Sequence, residues 1–150
     1  VLWTRTHELC CPRRALHAPY ARDAAIPGSA VERAEPPHLF EDGQQRRDFV
    51  HVEDVARANV LAIDAKREVT WALNIASGRP HTIVDMARAV TDAAGSGAPP
   101  PVVTGRFRLG DVRHIVASSR RARDTLGFTA DVDFIDGMRS FARARLRESF

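Results

Sequence analysis

Two adjacent arginines, Arg46 and Arg47, are followed by Asp48 and then by a short β-rich run, Phe49 to Val52. This run leads into the stretch Val55 to Ile63, and the two residues before that stretch are acids of the kind that a helix N-terminus favours. Because the stretch is apolar nearly all round, we predict a helix that is buried between layers. The sequence therefore predicts a strand–helix unit with cations at its entrance, which is a place to hold an anion.

A second group of charged residues lies in a predicted loop, where five of them occur within nine positions: Arg106, Arg108, Asp111, Arg113 and His114. Taken alone, such a mixture of charges is typical of a solvated loop. The same side chains could also bind a nucleotide, since a guanidinium pairs with phosphate and a carboxylate with two vicinal hydroxyls.

Other kinds of site have weaker support. Gly95-Ser96-Gly97 is no dinucleotide fingerprint, because Pro100 replaces the third glycine and the segment follows a predicted helix. Cys10 and Cys11 are too few and too close together for a disulfide framework or a zinc site. No serine stands on a recognisable strand-to-helix elbow, so we predict no nucleophile triad.

Length and composition indicate one globular domain. The chain has 150 residues, of which 44% are hydrophobic and 27% charged, as in ordinary globular proteins. No apolar run approaches the ~20 residues of a membrane span, and no signal-peptide pattern opens the chain. Two thiols without a disulfide pattern fit a reducing compartment. We therefore predict a cytoplasmic protein that does not bind membranes.

The basic residues do not predict nucleic-acid binding. Of the 22 lysines and arginines, all but Lys66 are arginine, yet the net charge is only +3. The arginines are spread along the chain among acids, and no aromatic stacking pattern accompanies them. We interpret the excess of arginine as compositional bias.

Turn and cap signals predict the elements that position these residues. Strands are predicted at 38–40, 73–75 and 102–103, and a turn at Glu41-Asp42-Gly43. Four further helices are predicted, in the order 24–34, a helix from Thr82 with Asp85 as a capping box, 120–126 stopped by Gly127, and a last helix opened by Asp133. Their core positions are predicted from helical spacing to be Ile83, Met86, Ala87 and Val90, and then Ile135, Met138, Phe141, Ala142 and Leu146.

Four segments in order carry a family resemblance. The stretch RRDFVHVEDVARAN resembles the R-D-[FY]-[VI]-[HY]-V-x-D-[VIL] signature of extended short-chain dehydrogenase/reductases that act on nucleotide sugars. The resemblance continues through NIASGRP (74–80), RLGDVRH (108–114) and SSRRARDTLGF (118–128). It covers about the last three quarters of the chain and is most similar to the nucleotide-sugar 4-epimerases, of the dTDP-rhamnose or UDP-glucose type, and dehydratases.

This resemblance implies a fold and a set of binding residues. The fold would be α/β, with the C-terminal substrate lobe and the last strands and helices of a Rossmann-type sheet. Arg47 and Arg108 would contact a diphosphate, and Asp111 would accept hydrogen bonds from ribose hydroxyls. Leu39 and Phe40 are candidate contacts of the nucleotide base, with ordinary core packing as the alternative. The implied partner is a nucleoside diphosphate sugar carrying dTDP or UDP.

The family's cofactor machinery is missing from these residues. The resemblance implies that intact members carry a Gly-rich loop for NAD and a Tyr-x-x-x-Lys pair for acid–base chemistry. Here Tyr20 is the single tyrosine and Lys66 the single lysine, so the chain contains no such pair. We therefore expect no cofactor for this chain alone. The interpretation is a truncated NAD-dependent epimerase or dehydratase, with a degenerate N-terminal segment at 1–22 and a nucleotide-sugar-binding part at 23–150.

Two alternatives stay open beside that interpretation. The chain could be a non-catalytic module that binds a sugar nucleotide or a partner, or it could be the inert product of a disrupted gene. Its short strands would leave unpaired edges without further neighbours, so self-association is also expected.

Overall fold

The computed structural model describes residues 3–5, 8–10, 30–31, 33–66, 69–95, 97–107 and 109–144. These residues form strands β1 to β9 and helices α1 to α4, and Ala30 and Val31 are helical as well. Their order along the chain is β1 (Trp3–Arg5), β2 (Glu8–Cys10), β3 (His38–Leu39), β4 (Arg46–Arg47), β5 (Phe49–His51), α1 (Val52–Ile63), β6 (Ala72–Asn74), β7 (His81–Thr82), α2 (Ile83–Ala94), β8 (Val102–Val103), β9 (His114–Ile115), α3 (Arg120–Leu126) and α4 (Phe134–Arg143).

The strands pair mostly in parallel. β1 pairs with β6, β2 with β5, and β3 with β8, each pair parallel. A separate three-stranded sheet has β4 in its centre, antiparallel to β7 and parallel to β9. The prediction of a mixed α/β chain is confirmed, and β4 is the strand with a partner on both sides in the region of the predicted site.

Strand β5 separates two hydrophobic clusters because successive side chains of a strand point to opposite faces. Phe49 belongs to a cluster that joins α2 and α4, with Met86, Val90, Met138 and Phe141. Val50 belongs to a second cluster, with Ala58, Val69, Leu73, Ile75, Ala122 and Phe128. A parallel strand covered on both faces is typical of α/β proteins.

Helix α1 departs from its prediction in two ways. It begins at Val52, because the side chain of His51 accepts a hydrogen bond from the Glu53 N–H and caps the helix there. The prediction that it is buried all round is wrong: Asp54 and Ala58 are buried, whereas Ile63 is 82% exposed and Val60 is also exposed. One face packs towards β5 and α3, and no described residue covers the other.

The caps of the later helices are confirmed. Thr82 and Asp85 form the predicted capping box of α2, Asp133 caps α4, and Gly127 ends α3 in the left-handed conformation with φ 68°. One core residue is wrong, since Ile135 is exposed. The face of α4 that meets α2 carries Met138 and Phe141 instead.

The first 22 residues contain β1 and β2, which the sequence did not predict. Strands of three residues are too short to show an alternating pattern, and they are fixed here by parallel pairing with β6 and β5. The predicted helix at 24–34 and the predicted core residue Leu146 fall largely or wholly outside the described residues.

The described helices are too short and too polar to cross a bilayer.

Candidate functional site

The candidate site is centred on Arg47 in β4. Gln45 and Arg47 point to the same side of the strand and are buried, whereas Arg46 between them is exposed. The Arg47 side chain is only 3% exposed, since β7 and β9 flank the strand and the segment before β9 lies over it. A buried guanidinium needs partners for its N–H groups.

Segment 111–113 supplies two of those partners. Nη1 of Arg47 donates to the Arg46 carbonyl at 3.0 Å and to the Arg113 carbonyl at 3.1 Å. Nη2 donates to Oδ1 of Asp111 at 3.4 Å. The Asp111 side chain is 30% exposed, so it connects the buried cation with the surface. The structure thus brings together two predicted site residues; the third, Arg108, lies outside the described residues.

The two candidate base contacts lie in different environments. Leu39 is buried beside Gly43 and Val103, and its carbonyl accepts hydrogen bonds from the N–H and the hydroxyl of Thr104, both at 2.9 Å. Phe40 follows β3 and is half-buried. A base could therefore meet side-chain surface at Phe40, whereas Leu39 is a core residue in this conformation.

Arg113 makes an ion-pair cluster that the sequence did not predict. Its guanidinium donates to both carboxylate oxygens of Asp42, at 3.2 and 2.6 Å, and to Glu41 at 3.3 Å. The hydrogen bonds that Asp42 accepts from Arg113, together with one from the Gln44 N–H, hold the pKa of Asp42 below its usual range. Asp42 in turn raises the pKa of Arg113. The partners are 71 positions apart, so local sequence gave no signal of the pair.

Gln45 links the same turn to β4. Its Nε2 donates to the Phe40 carbonyl and to Oε2 of Glu41, each at 3.2 Å. Its Oε1 is buried and has no hydrogen-bond partner among the described residues. Glu41 thereby accepts hydrogen bonds from both Gln45 and Arg113. These bonds join the turn, β4 and segment 111–113 into one polar network.

Asp48 is buried next to Arg47 in the sequence but serves a different purpose. Its carboxylate accepts hydrogen bonds from the N–H and the hydroxyl of Ser77, both at 2.7 Å, and from the Gly78 N–H at 2.9 Å. These three donors satisfy it within the protein, so Asp48 fixes the loop after β6 rather than facing a ligand.

The network offers anion recognition rather than metal binding. No group of three or more histidine, cysteine or acidic side chains in the described part of the chain could hold a metal ion. What it provides is a buried cation, a partly exposed carboxylate bonded to it, and a turn fixed by ion pairs. Such a set can bind a phosphate and a hydroxyl-bearing group together.

Comparison with known proteins gives a consistent set of relatives. A profile of the NAD dependent epimerase/dehydratase family matches residues 9–76. The chain is 43% identical over 90 residues to the dTDP-L-rhamnose 4-epimerase of Burkholderia thailandensis, a match that covers 60% of this chain and 24% of that protein. It is 39% identical over 98 residues to a UDP-glucose 4-epimerase of Lacticaseibacillus casei, covering 63% of this chain and 29% of that protein.

The fold has solved counterparts. The UDP-glucose 4-epimerase of Thermotoga maritima, solved with UDP-glucose, superimposes with a TM-score of 0.83 at 29% identity, over 94% of this chain and 44% of that one. The UDP-N-acetylglucosamine 4-epimerase of Methanobrevibacter ruminantium, solved with UDP-N-acetylmuramic acid, gives a TM-score of 0.82 at 27% identity. This chain therefore spans less than half the length of these solved relatives, and its sequence matches span 24% and 29% of the two curated ones.

Proposed function

Since this chain belongs to the NAD-dependent epimerase/dehydratase family, we propose that it binds a nucleoside diphosphate sugar through Arg47, Arg108 and Asp111. The observation that carries the proposal is the contact between Arg47 and Asp111 at 3.4 Å. These residues come from two segments far apart in sequence, and each has the chemistry needed for one half of a nucleotide.

The proposed division of roles follows from charge. Arg47 and Arg108 pair with the diphosphate, because a guanidinium fork matches two phosphate oxygens. Asp111 accepts from ribose hydroxyls, because an ionised carboxylate is an acceptor only. A phosphate that approaches Arg47 competes with Asp111 for Nη2, so ligand binding exchanges one charge-assisted hydrogen bond for another.

The relatives support this ligand class. Two of the solved epimerases contain a UDP-linked sugar. The names of the curated relatives include both dTDP-L-rhamnose and UDP-glucose 4-epimerases. UDP carries the ribose 2′-hydroxyl that dTDP lacks, so affinity for the two nucleotides reports on what Asp111 contacts.

We expect no NAD site in this chain alone. β5 passes directly into α1 through His51, with no glycine at the turn where a pyrophosphate would approach the backbone. The sequence also lacks the Tyr-x-x-x-Lys pair. We therefore propose nucleotide-sugar binding for this chain and expect no epimerisation by it alone. Turnover of a dTDP- or UDP-hexose with NAD, above a control without protein, would contradict this.

Calorimetry with UDP and dTDP tests the binding site. Losing one guanidinium fork removes a charge-assisted hydrogen bond of roughly 1.5–3 kcal/mol, so we expect Arg47→Ala and Arg108→Ala each to weaken binding about 10- to 100-fold. Arg47→Lys keeps the charge of the buried side chain but loses the fork, and it covers the case in which Arg47→Ala unfolds.

The matched control is Arg139→Ala, which removes an exposed arginine of α4 that pairs with Asp136 at 2.6 Å. Its affinity for UDP should equal that of the unmodified chain. Equal affinities across the unmodified chain and the Arg47 and Arg108 variants would discard the site.

A further inference from the structure

We propose that Arg113 is a positioning residue, which holds the buried guanidinium of Arg47 in the orientation that receives a diphosphate. The inference rests on the proposed nucleotide site, but part of its test needs no ligand. Arg113 acts from both ends: its carbonyl contacts Arg47, and its side chain is fixed to the turn that follows β3.

The backbone of Arg113 orients β4 and the Arg47 side chain together. Its carbonyl accepts from Nη1 of Arg47 at 3.1 Å and from the Arg46 N–H at 3.2 Å. A carbonyl carries no net charge, so it orients the guanidinium without neutralising it. Asp111, two residues earlier, contacts the neighbouring Nη2, so segment 111–113 lies along one edge of the guanidinium.

The side chain of Arg113 fixes where that segment lies. It forms a two-point pair with Asp42 and a third contact with Glu41, both in the turn between β3 and β4. Arg106 is held to the same turn, because its carbonyl accepts from the Glu41 N–H at 2.6 Å. The loop that carries Asp111 is therefore fixed to the turn at two places.

A purely stabilising role would not require this arrangement. The side chains of Arg113 and Asp42 are 50% and 51% exposed, and ion pairs at such exposure contribute little to stability. The consequence of losing the pair should instead appear at Arg47, whose guanidinium would sample more orientations. Ordering one such side chain on binding costs about 0.5–1.5 kcal/mol, which corresponds to about a 2- to 10-fold loss of affinity.

The test compares Arg113→Ala and Asp42→Asn with the control Arg139→Ala, which breaks a similarly exposed pair on α4. Nuclear magnetic resonance measures hydrogen exchange of the Arg46 amide and of the Arg47 guanidinium. In Arg113→Ala and Asp42→Asn, we expect the Arg46 amide and the Arg47 guanidinium to exchange faster than in the unmodified chain. In Arg139→Ala, both exchange rates should be unchanged.

Calorimetry with UDP and thermal unfolding complete the test. Arg113→Ala should bind UDP about 2- to 10-fold more weakly, with a melting temperature that differs from the unmodified chain no more than that of Arg139→Ala does. Unchanged exchange at Arg46 and Arg47 in Arg113→Ala would overturn the positioning role whatever the affinity. Faster exchange in a chain that does not bind UDP at all would confirm the positioning role and reject the proposed ligand.

Discussion

Nη2 of Arg47 donates a hydrogen bond to Oδ1 of Asp111 at 3.4 Å, although 64 positions separate the two residues. Two of the residues proposed to contact a nucleotide are thus partners of each other in this structure. Changing one of them therefore alters both the ligand contacts and the availability of the other.

Asp111→Asn should affect the binding of the ribose and of the diphosphate differently. The change weakens hydrogen bonding to ribose, so we expect UDP to bind more weakly and dTDP to lose less. It also removes a charged competitor for Arg47, so inorganic pyrophosphate should bind at least as tightly as before. Calorimetry with the three ligands measures this, and Asp136→Asn on α4 is the control. Equal losses for pyrophosphate and UDP would contradict the assignment.

Two glycines should respond to alanine in opposite directions. A Cβ at Gly137 in α4 would make ordinary contacts with His51 and Val132, at 3.7 and 3.8 Å, so Gly137→Ala should stabilise the chain by about 0.5–1 kcal/mol. Gly43 has φ +69° and a Cβ there would clash with Val84, so Gly43→Ala should cost at least about 1–2 kcal/mol. Urea unfolding measures both changes, and destabilisation by Gly137→Ala would show that the His51 contact is tighter than described.

Asp85 should make the stability of the chain depend on acid pH. Bonds from Thr82, first from its side chain and then from its backbone N–H, lower the pKa of this carboxyl. A group whose pKa is depressed in the folded state contributes stability above its ordinary pKa of about 4 and loses it as the pH falls through the lowered value.

The measurement is urea unfolding of the unmodified chain and Asp85→Asn between pH 7 and pH 2. Asp85→Asn should be less stable at pH 7, and the difference should shrink below about pH 4. Asp92→Asn, at the opposite end of the same helix, should not destabilise at pH 7, because a carboxylate in the last turn is unfavourable for the helix dipole. A difference that stays constant down to pH 2 would contradict the assignment to this capping box.

Exposed apolar side chains on α1 should promote self-association. Ile63 and Val60 lie on the face that no described residue covers. We expect the chain to associate in sedimentation experiments as its concentration rises, and Ile63→Glu to reduce this. Leu109 is also exposed, in the loop before β9. Leu109→Glu should therefore leave association unchanged if the exposed face of α1 is the surface that associates. A chain that stays monomeric at every concentration would contradict the prediction and show that the exposed face of α1 does not drive association.

Local signals determined much of the secondary structure from the sequence. The capping box at Thr82 and Asp85, the cap at Asp133 and the stop at Gly127 are all observed, because each depends on residues within one turn of a helix. The spacing of Met86, Ala87 and Val90 likewise predicted a buried face, since helical periodicity is also a local property.

Only the tertiary structure decided the environment of the site. The sequence identified Arg47 and Asp111 by resemblance, but burial of Arg47 and its contact with Asp111 depend on β4 lying between β7 and β9. The sequence also did not predict the pairing of Arg113 with Asp42, the exposure of Ile63, or the strands β1 and β2. Each depends on which distant segment packs against which, and side-chain spacing within one segment carries no information about a partner 71 positions away.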